Sequence, residues 1–174
     1  PKIKKLLSEV KDREFIGYSY DGADASFELL ARRLMGDIPR YILINEYDVT
    51  VKKDNTGEII SIAKAQLEVD GQKILCEGQG NGPVNALDNA IRKNVNKLAK
   101  YSEYLKDLKL VDYKVRILNT GTEAVTRVSI ESTDSNGKNW FTIGVSANII
   151  DASFKALIDS LDYKLYKDNA PASL

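Results

Sequence analysis

Two stretches of this chain decide its fold: YDVTVKKDNTGEIISIAKAQLEVDGQKILCEGQGNGPVNALDNAIRKN (residues 47–94) and YKVRILNTGTEAVTRVSIESTDSNGKNWFTIGVSANIIDASFKALIDS (residues 113–160). Laid over each other at an offset of 66 residues, they bring Gly71 onto Gly137, Gly78 onto Gly144, Ala86 onto Ala152 and Ala90 onto Ala156. The two Asn-Thr-Gly turns, 55–57 and 119–121, slip by two residues, as a length change at a hairpin tip would produce. Each copy reads as three short extended runs followed by one helix. Two like halves create a pseudo-symmetric seam, and small-molecule sites favour such seams.

The periodicities carry this reading. Tyr47, Val49 and Val51 alternate with polar residues, and so do Ala63, Ala65, Leu67 and Val69, as half-buried strands require. Asp54–Gly57 and Asp70-Gly71 read as hairpin turns, the second supplying the positive φ of a tight connection. A third strand over 73–77 runs into the glycine-rich stretch 78–83. Pro83 then opens a helix reaching to about residue 101, with Val84, Leu87, Ile91, Val95 and Leu98 on one face. The second unit repeats the plan. Val111, Tyr113, Val115 and Ile117 alternate, then Ala124, Thr126, Val128 and Ile130; Asn136-Gly137 turns the chain and a third strand spans 140–145. Asn148 is placed to cap the last helix, 149–165, and the tail after Asp168 carries no apolar pattern, so fraying is expected there.

Ahead of the repeats lie a charged helical stretch with Ile3, Leu6, Leu7 and Val10 on one stripe, a break at 17–22, and a second helix capped by Asp24 and closed by Gly36. The expected organisation is a helical connector (1–39) followed by an α+β domain (40–174) of mainly antiparallel strands, unit one at about 40–105 and unit two at about 106–167. The tetrapeptide Asp-Ala-Ser-Phe stands at two helix starts, 24–27 and 151–154.

Composition narrows the function. With 25 basic and 25 acidic residues interspersed, the chain offers no broad phosphate-tracking surface, which argues against nucleic acid. No apolar run approaches the ~18 residues of a bilayer span, and the start lacks a signal peptide's apolar core; a cytoplasmic location is expected. The single cysteine, Cys76, reads as a small buried hydrophobe. There is no histidine, which removes the usual proton shuttle, the Ser-His nucleophile pair and the common nitrogen ligand of zinc. The stretch reads as a non-catalytic unit, with no metal or cofactor of its own.

A strand, a glycine-rich turn and a helix start together make an anion site, because unpaired N–H groups and the helix dipole point the same way. Gly78, Gly80 and Gly82 let a ligand approach the backbone, although a tight turn without a ligand accounts for the same pattern. No Gly-Lys-Ser/Thr follows, and a hairpin lead-in does not suit a dinucleotide fold. A small carboxylate fits better. The equivalent turn in unit two, GVSANII (144–150), is aliphatic, so the pair could hold an amino acid by its two ends.

GADASFELLARR (22–33), GNGPVNALDNAIRK (80–93), LVDYKVRIL (110–118), ESTD (131–134) and GVSANIIDASFKALIDSLDYKL (144–165) together resemble the C-terminal part of the citramalate synthase and 2-isopropylmalate synthase family, closer to the citramalate synthase branch. The resemblance implies a regulatory domain of two βββα units that pairs in a homodimer and binds the pathway's end product, isoleucine or leucine. It further implies a separate catalytic (β/α)8 barrel of the same chain, holding a divalent metal through an aspartate and two histidines. Effector positions carried over by motif are Gly80, Gly82, Val84 and Asn85 at the turn, and Leu110, Tyr113 and Ile117 on the first strand of unit two. Ala124 and Thr126 follow on the next strand, and Asn148, Ile149 and Ile150 at the last helix start. Asn85 departs from the acidic residue common at its position, with Asp112 as a possible substitute for that ammonium partner. Plain core packing is the alternative role for Leu110, Tyr113, Ile117, Ile149 and Ile150. A purely structural dimerisation domain is the rival reading of the whole.

Overall fold

Alternation in sequence becomes alternation in burial. A computed structural model describes residues 1–174 apart from 121 and 122, and only the backbone at 119, 120 and 123. In it β2 (Ile59–Val69) buries Ala63, Ala65, Leu67 and Val69 while Lys64 between them is exposed. With β1 (Leu43–Lys53) and β3 (Gln72–Gly80) it forms an antiparallel sheet in the order β1-β2-β3. The second sheet repeats the order with β4 (Lys109–Thr120), β5 (Glu123–Thr133) and β6 (Asn139–Ser146). Helix α3 (Pro83–Lys93) lies across β3 and β2, and α5 (Ile149–Lys167) across β6 and β5. The two helices touch, so Leu67 and Leu87 of one unit share a core with Val128, Leu157 and Leu161 of the other. The class is α+β, two βββα units with antiparallel strands, as the sequence implies.

The positions that match between the repeats have identifiable physical causes. Gly71 and Gly137 both hold positive φ, 77° and 75°, at the hairpin before the third strand. Asp70 joins Gly71 with φ 53°, the pair of left-handed residues a two-residue hairpin needs. Asp134 instead folds its turn by accepting from the amides of Asn136 and Lys138, as Asp54 does from Thr56 and Glu58. The second Asn-Thr-Gly turn, 119–121, extends beyond the described residues.

The remaining matches mark one contact made twice. A Cβ on Gly78 would run into the backbone of Ala90, and one on Gly144 into the backbone of Ala152 and Ala156. Gly80 likewise lies against the amide of Ala86. Small residues on both sides let the third strand and its following helix touch backbone to backbone. The helices also serve the open sheet edges. Asn89 donates to the Gln79 carbonyl at 2.7 Å, and Lys155, its repeat equivalent, to Val145 at 3.3 Å. Asn94 takes the Glu77 carbonyl at 3.1 Å. On the β6 edge the Ile143 amide donates to Ser26 Oγ at 2.9 Å. Edge groups so used are closed to other strands.

Ser26 belongs to α2 (Asp24–Met35), which packs on α5 and β6; α1 (Lys2–Phe15) precedes it and buries none of its residues. The expected apolar stripe of α1 is therefore only half covered, with Ile3 and Leu7 exposed and Leu6 and Val10 half-buried. Four other local expectations are corrected. The third strand of unit one runs through to Gly80, so Gly78 and Gly80 are strand residues rather than turn residues. The long helix expected over 83–101 stops at Lys93, because the Asn94 side chain takes the carbonyls of Ala90 and Glu77 and pins the chain to the strand. Two 3-10 turns and a short helix α4 (Ser102–Leu105) follow, still burying Val95, Leu98 and Tyr101. Asp24 is the first helical residue rather than a side-chain cap, whereas Gly36 closes α2 at φ 73° as expected. The tail is held. Ser173 donates its amide to the Arg40 carbonyl, Tyr101 its hydroxyl to the Pro171 carbonyl, and Asp70 accepts from the Leu174 amide.

Gly78→Ala and Gly144→Ala should each destabilise the chain by about 3 kcal/mol or more, since backbone cannot yield to an inserted methyl as a side chain can. Gly82, with open space around its Cβ position, should tolerate alanine at about 1 kcal/mol or less. Urea unfolding of the three variants checks the contrast.

Candidate functional site

The two helix starts that face the repeats' glycine-rich and aliphatic turns are chemically unequal. At α5, Asn148 Oδ1 accepts from the amides of Ile150 (2.8 Å) and Asp151 (3.2 Å), and Asp151 adds a carboxylate to the first turn. That start is capped and carries its own negative charge. At α3, Gly82 occupies the cap position in extended backbone (φ −165°, ψ 172°), with no side-chain cap and no acidic residue in the first turn. Pro83 has no amide to offer, so Val84 and Asn85 supply the first N–H groups. The dipole's positive end is thus offset by a side chain at α5 and not at α3. An added carboxylate would be attracted to α3 and repelled at α5.

Gly82 is the open position, since nothing lies within 4 Å of where its Cβ would stand. Gly80, one turn of strand earlier, is filled against Asn85 and Ala86 and sets the strand-to-helix spacing. Asn85 Oδ1 accepts from the Asn81 amide, and Val84 is buried in the core.

The strand residues fall on one face. Tyr113 pairs with Ile130, Val115 with Val128 and Ile117 with Thr126, so all three share the α5 side of their sheet. Helix α5 covers β5 and β6 but not the whole of β4, leaving Tyr113 39%, Val115 41% and Ile117 71% exposed. Thr126, buried, pairs onward with Ser146, two residues before Asn148. Ile117, Thr126 and the α5 start thus form a continuous neighbourhood. Ala124, exposed, extends it by one period-two step. Ile149 and Ile150 pack on the shared core, in which Val84 is also buried. Leu110 stands apart, at a β-bulge before Asp112, in a narrow crevice against Ile91 of α3 and Leu157 of α5.

A larger cleft takes in none of these twelve positions. It opens where the leading helices meet α5 and β1, with a volume of about 670 Å³. Tyr47 stacks on Phe154 with ring centroids 4.2 Å apart and donates its hydroxyl to Asp151 at 2.7 Å. Arg33 donates to Asp159 and to Asp162, each at 3.0 Å, and Ser26 Oγ donates to Asp159 at 2.9 Å. Burial and the neighbouring Asp159 charge push the Asp162 carboxyl up to about 7, against the pull of Arg33, and burial also raises Asp159. The sequence reading missed this cluster. Its signal was the repeated Asp-Ala-Ser-Phe, whose first copy supplies Ser26 and whose second supplies Asp151 and Phe154.

Fold and duplication define the class: a domain of two βββα units folded around one core. Residues 21–165 match the family described as the LeuA allosteric (dimerisation) domain, and the chain belongs to that family. Over 171 residues it is 44% identical to the (R)-citramalate synthase of Aquifex aeolicus, a match covering 97% of this chain and 32% of that protein. It is 41% identical over 172 residues to the (R)-citramalate synthase of Synechocystis sp., covering 95% and 30%. The 2-isopropylmalate synthase of Clostridium acetobutylicum is 39% identical over 113 residues, covering 64% and 17%. The chain thus spans about a third of the length of the citramalate synthases it resembles. Among the described residues no helix is long and apolar enough to cross a membrane.

The Asp162 carboxyl generates a pH prediction. Its folded pKa, about 7, lies above the ~3.9 of a free aspartate, so between those values the folded chain holds a proton that the unfolded chain has lost. Its contribution to stability therefore falls as pH rises through that window. Arg33 and Asp159 are the charged groups facing it, and Tyr41 and Tyr101 lie within range of its field. Asp162→Asn removes the titration, so its melting temperature should gain on the parent between about pH 5 and pH 8. A difference that stays constant with pH would show that Asp162 is ionised throughout.

Proposed function

We propose that this chain is the effector-sensing part of an acyl-CoA-condensing synthase of branched-chain amino-acid biosynthesis, relaying feedback inhibition to a catalytic (β/α)8 barrel elsewhere in the same chain. Isoleucine is the foremost effector and leucine the alternative; the parent enzyme is of the citramalate synthase kind, with any divalent metal in its barrel, and works in the cytoplasm. The observation that carries this reading is the unequal capping of the two helix starts, which leaves the α3 start at Gly82 open to a carboxylate. The effector's carboxylate rests on the Val84 and Asn85 amides, and its side chain lies among Tyr113, Ile117, Thr126 and Ile149. Inhibition follows only if the effector binds two states of the assembly unequally.

The bare strip of β4 supports a homodimer. Val111, Tyr113, Val115 and Ile117 form an apolar row on one strand, too exposed to leave to water in a working protein. A second copy laid on this strip closes the sensing site at the same time as it buries the row. The alternative, a structural dimerisation domain without effector binding, rests on the same strip and differs only in its response to ligand.

Isoleucine at ~100 times its dissociation constant should stabilise the chain by about 2.7 kcal/mol, with leucine as the comparison. Gly82→Asp should abolish that gain while the ligand-free melt stays near the parent's. The new carboxylate faces the effector's own, and open space with extended backbone at Gly82 makes the change easy to accommodate. In the full-length enzyme the same change should leave turnover intact and remove inhibition. A chain that melts at the same temperature with and without both amino acids would favour the structural alternative. Light scattering should report a dimer, shifted toward monomer by Val115→Lys.

A further inference from the structure

The cleft between the leading helices and α5 is a counterpart of the candidate effector site under the internal duplication. At the 66-residue offset Tyr47 corresponds to Tyr113 and Asp151 to Asn85. In the cleft these two positions are in contact, the Tyr47 hydroxyl on the Asp151 carboxylate. The tyrosine ring and Phe154 form a flat aromatic wall, and Ile143 and Ile158 line the cleft beside it. A volume of about 670 Å³ falls within the ~300–1,000 Å³ of small-molecule sites.

The lining carries four carboxylates, Glu9, Asp12, Asp151 and Asp159, against three cations, Arg13, Arg33 and Lys155. Arg13 is used on Glu9 at 2.8 Å and Lys155 on Asp151 at 3.2 Å. Arg33 alone serves two carboxylates, Asp159 and Asp162. Arg33 itself is exposed, and Asp159 and Asp162 are half-buried beneath it. Asp159 lines the cleft and keeps 18% of its side-chain surface exposed, so a cation entering from the cleft can reach it.

We infer that this cleft binds a small molecule bearing an ammonium group on a compact apolar body, a free amine or an amino acid. The ammonium offsets the lining's excess of carboxylate at Asp159, and the body lies against the Tyr47–Phe154 wall. This site is separate from the one proposed at α3 and has the opposite preference, drawing in the ligand's ammonium where the α3 start draws in a carboxylate. It also has a structural consequence. One wall is the leading segment, through Arg13, Tyr18 and Arg33, and the other is the repeat core, through Tyr47, Phe154 and Asp159. An occupant that touches both holds the leading helices against α5, and undocking them loses the site.

The test is an amide NMR titration of the isotope-labelled chain with four probes: isoleucine, phenylalanine, and the amines left when each loses its carboxylate. N-acetyl isoleucine, which has no ammonium, is the control. Saturable shifts are expected at Tyr47, Ile143 and Phe154 with the ammonium-bearing probes, and none with the acetylated one. Amines binding more tightly than their parent amino acids would identify a free amine as the ligand class, and the reverse order would identify an amino acid whose carboxylate is read by Arg13. The shifts should survive Gly82→Asp, weaken roughly tenfold or more in Asp159→Asn, and vanish in Ile44→Trp, which fills the cleft. If Ile44→Trp does not fold, Asp159→Asn carries the decision. Cleft amides that respond to no probe overturn the inference. So do shifts unchanged in Asp159→Asn, and shifts lost in Gly82→Asp, which would make them an echo of the other site. Loss of the isoleucine-dependent melt alone, with the cleft shifts retained, would count against the α3 site and leave this one standing.

Discussion

The structure depends on one contact made twice, the backbone-to-backbone approach of the third strand to the helix that follows it. At Gly78 the strand meets Ala90, and at Gly144 it meets Ala152 and Ala156, with no room for a methyl group on the strand side. So close an approach fixes where each helix lies on its sheet, and hence which strands it covers. Helix α3 covers β3 and β2, α5 covers β6 and β5, and the first strand of each unit is left to find other company. The half-open β1 and the bare β4 are consequences of that placement. So is the reach of Asn89 and Lys155 to the edge carbonyls of their strands.

Duplication supplies two such units, and divergence has given them different chemistry at matching places. One helix start is capped by Asn148 and carries Asp151; the other ends its strand in glycines and has no side-chain cap. One first-strand tyrosine, Tyr47, is occupied by Phe154 and Asp151, while its counterpart, Tyr113, is partly exposed. Because the scaffold is the same, these differences isolate the contribution of side chains to binding preference. A start with open amides favours a carboxylate, and a cleft rich in carboxylates favours an ammonium.

Much of this was legible in the chain. Strands whose small and aliphatic residues alternate, such as Ala63 to Val69, lie where period two puts them, and the matched glycines and alanines were the strongest signal because each is sterically required. Capping by Asn148 was legible for the same reason, since a short polar side chain before an apolar helix has one good local partner. Long-range competition was not legible. Nothing local says that Asn94 prefers two carbonyls, one of them across on β3, to continuing a helix, or that the polar tail is tied down by Arg40, Tyr101 and Asp70. The leading helices misled for a related reason. The apolar stripe of α1 is real, yet none of it is buried, while α2 is held on α5 by the Ser26 and Arg33 bonds. Among the candidate effector residues, motif position placed Ile117, Thr126 and the α5 start together, whereas Leu110 falls in the seam between the helices, behind a bulge that no period-two count anticipates.

Helix α5 is the element through which these parts can communicate. Its small face, Ala152 and Ala156, is seated on β6; Leu157 and Leu161 join the core shared with α3; Phe154 meets β1; Asp159 and Asp162 hold α2 through Arg33. Near its end the buried Lys164 binds Asp134 of the β5–β6 hairpin at 2.8 Å and Asp168 at 2.7 Å. A helix restrained at so many points cannot bend to accommodate a ligand, so any displacement it makes is that of a rigid rod. Lifting off β6 would open a cavity under Ala152 and Ala156, and sliding would break the Thr142 bond to the Ala156 carbonyl at 2.8 Å and the Ser132–Ser160 hydroxyl pair at 2.6 Å. The contact with β1 through Phe154 and the contact with α2 through Arg33 are therefore borne by one stiff element, so the leading helices and the first repeat are positioned by the same rod.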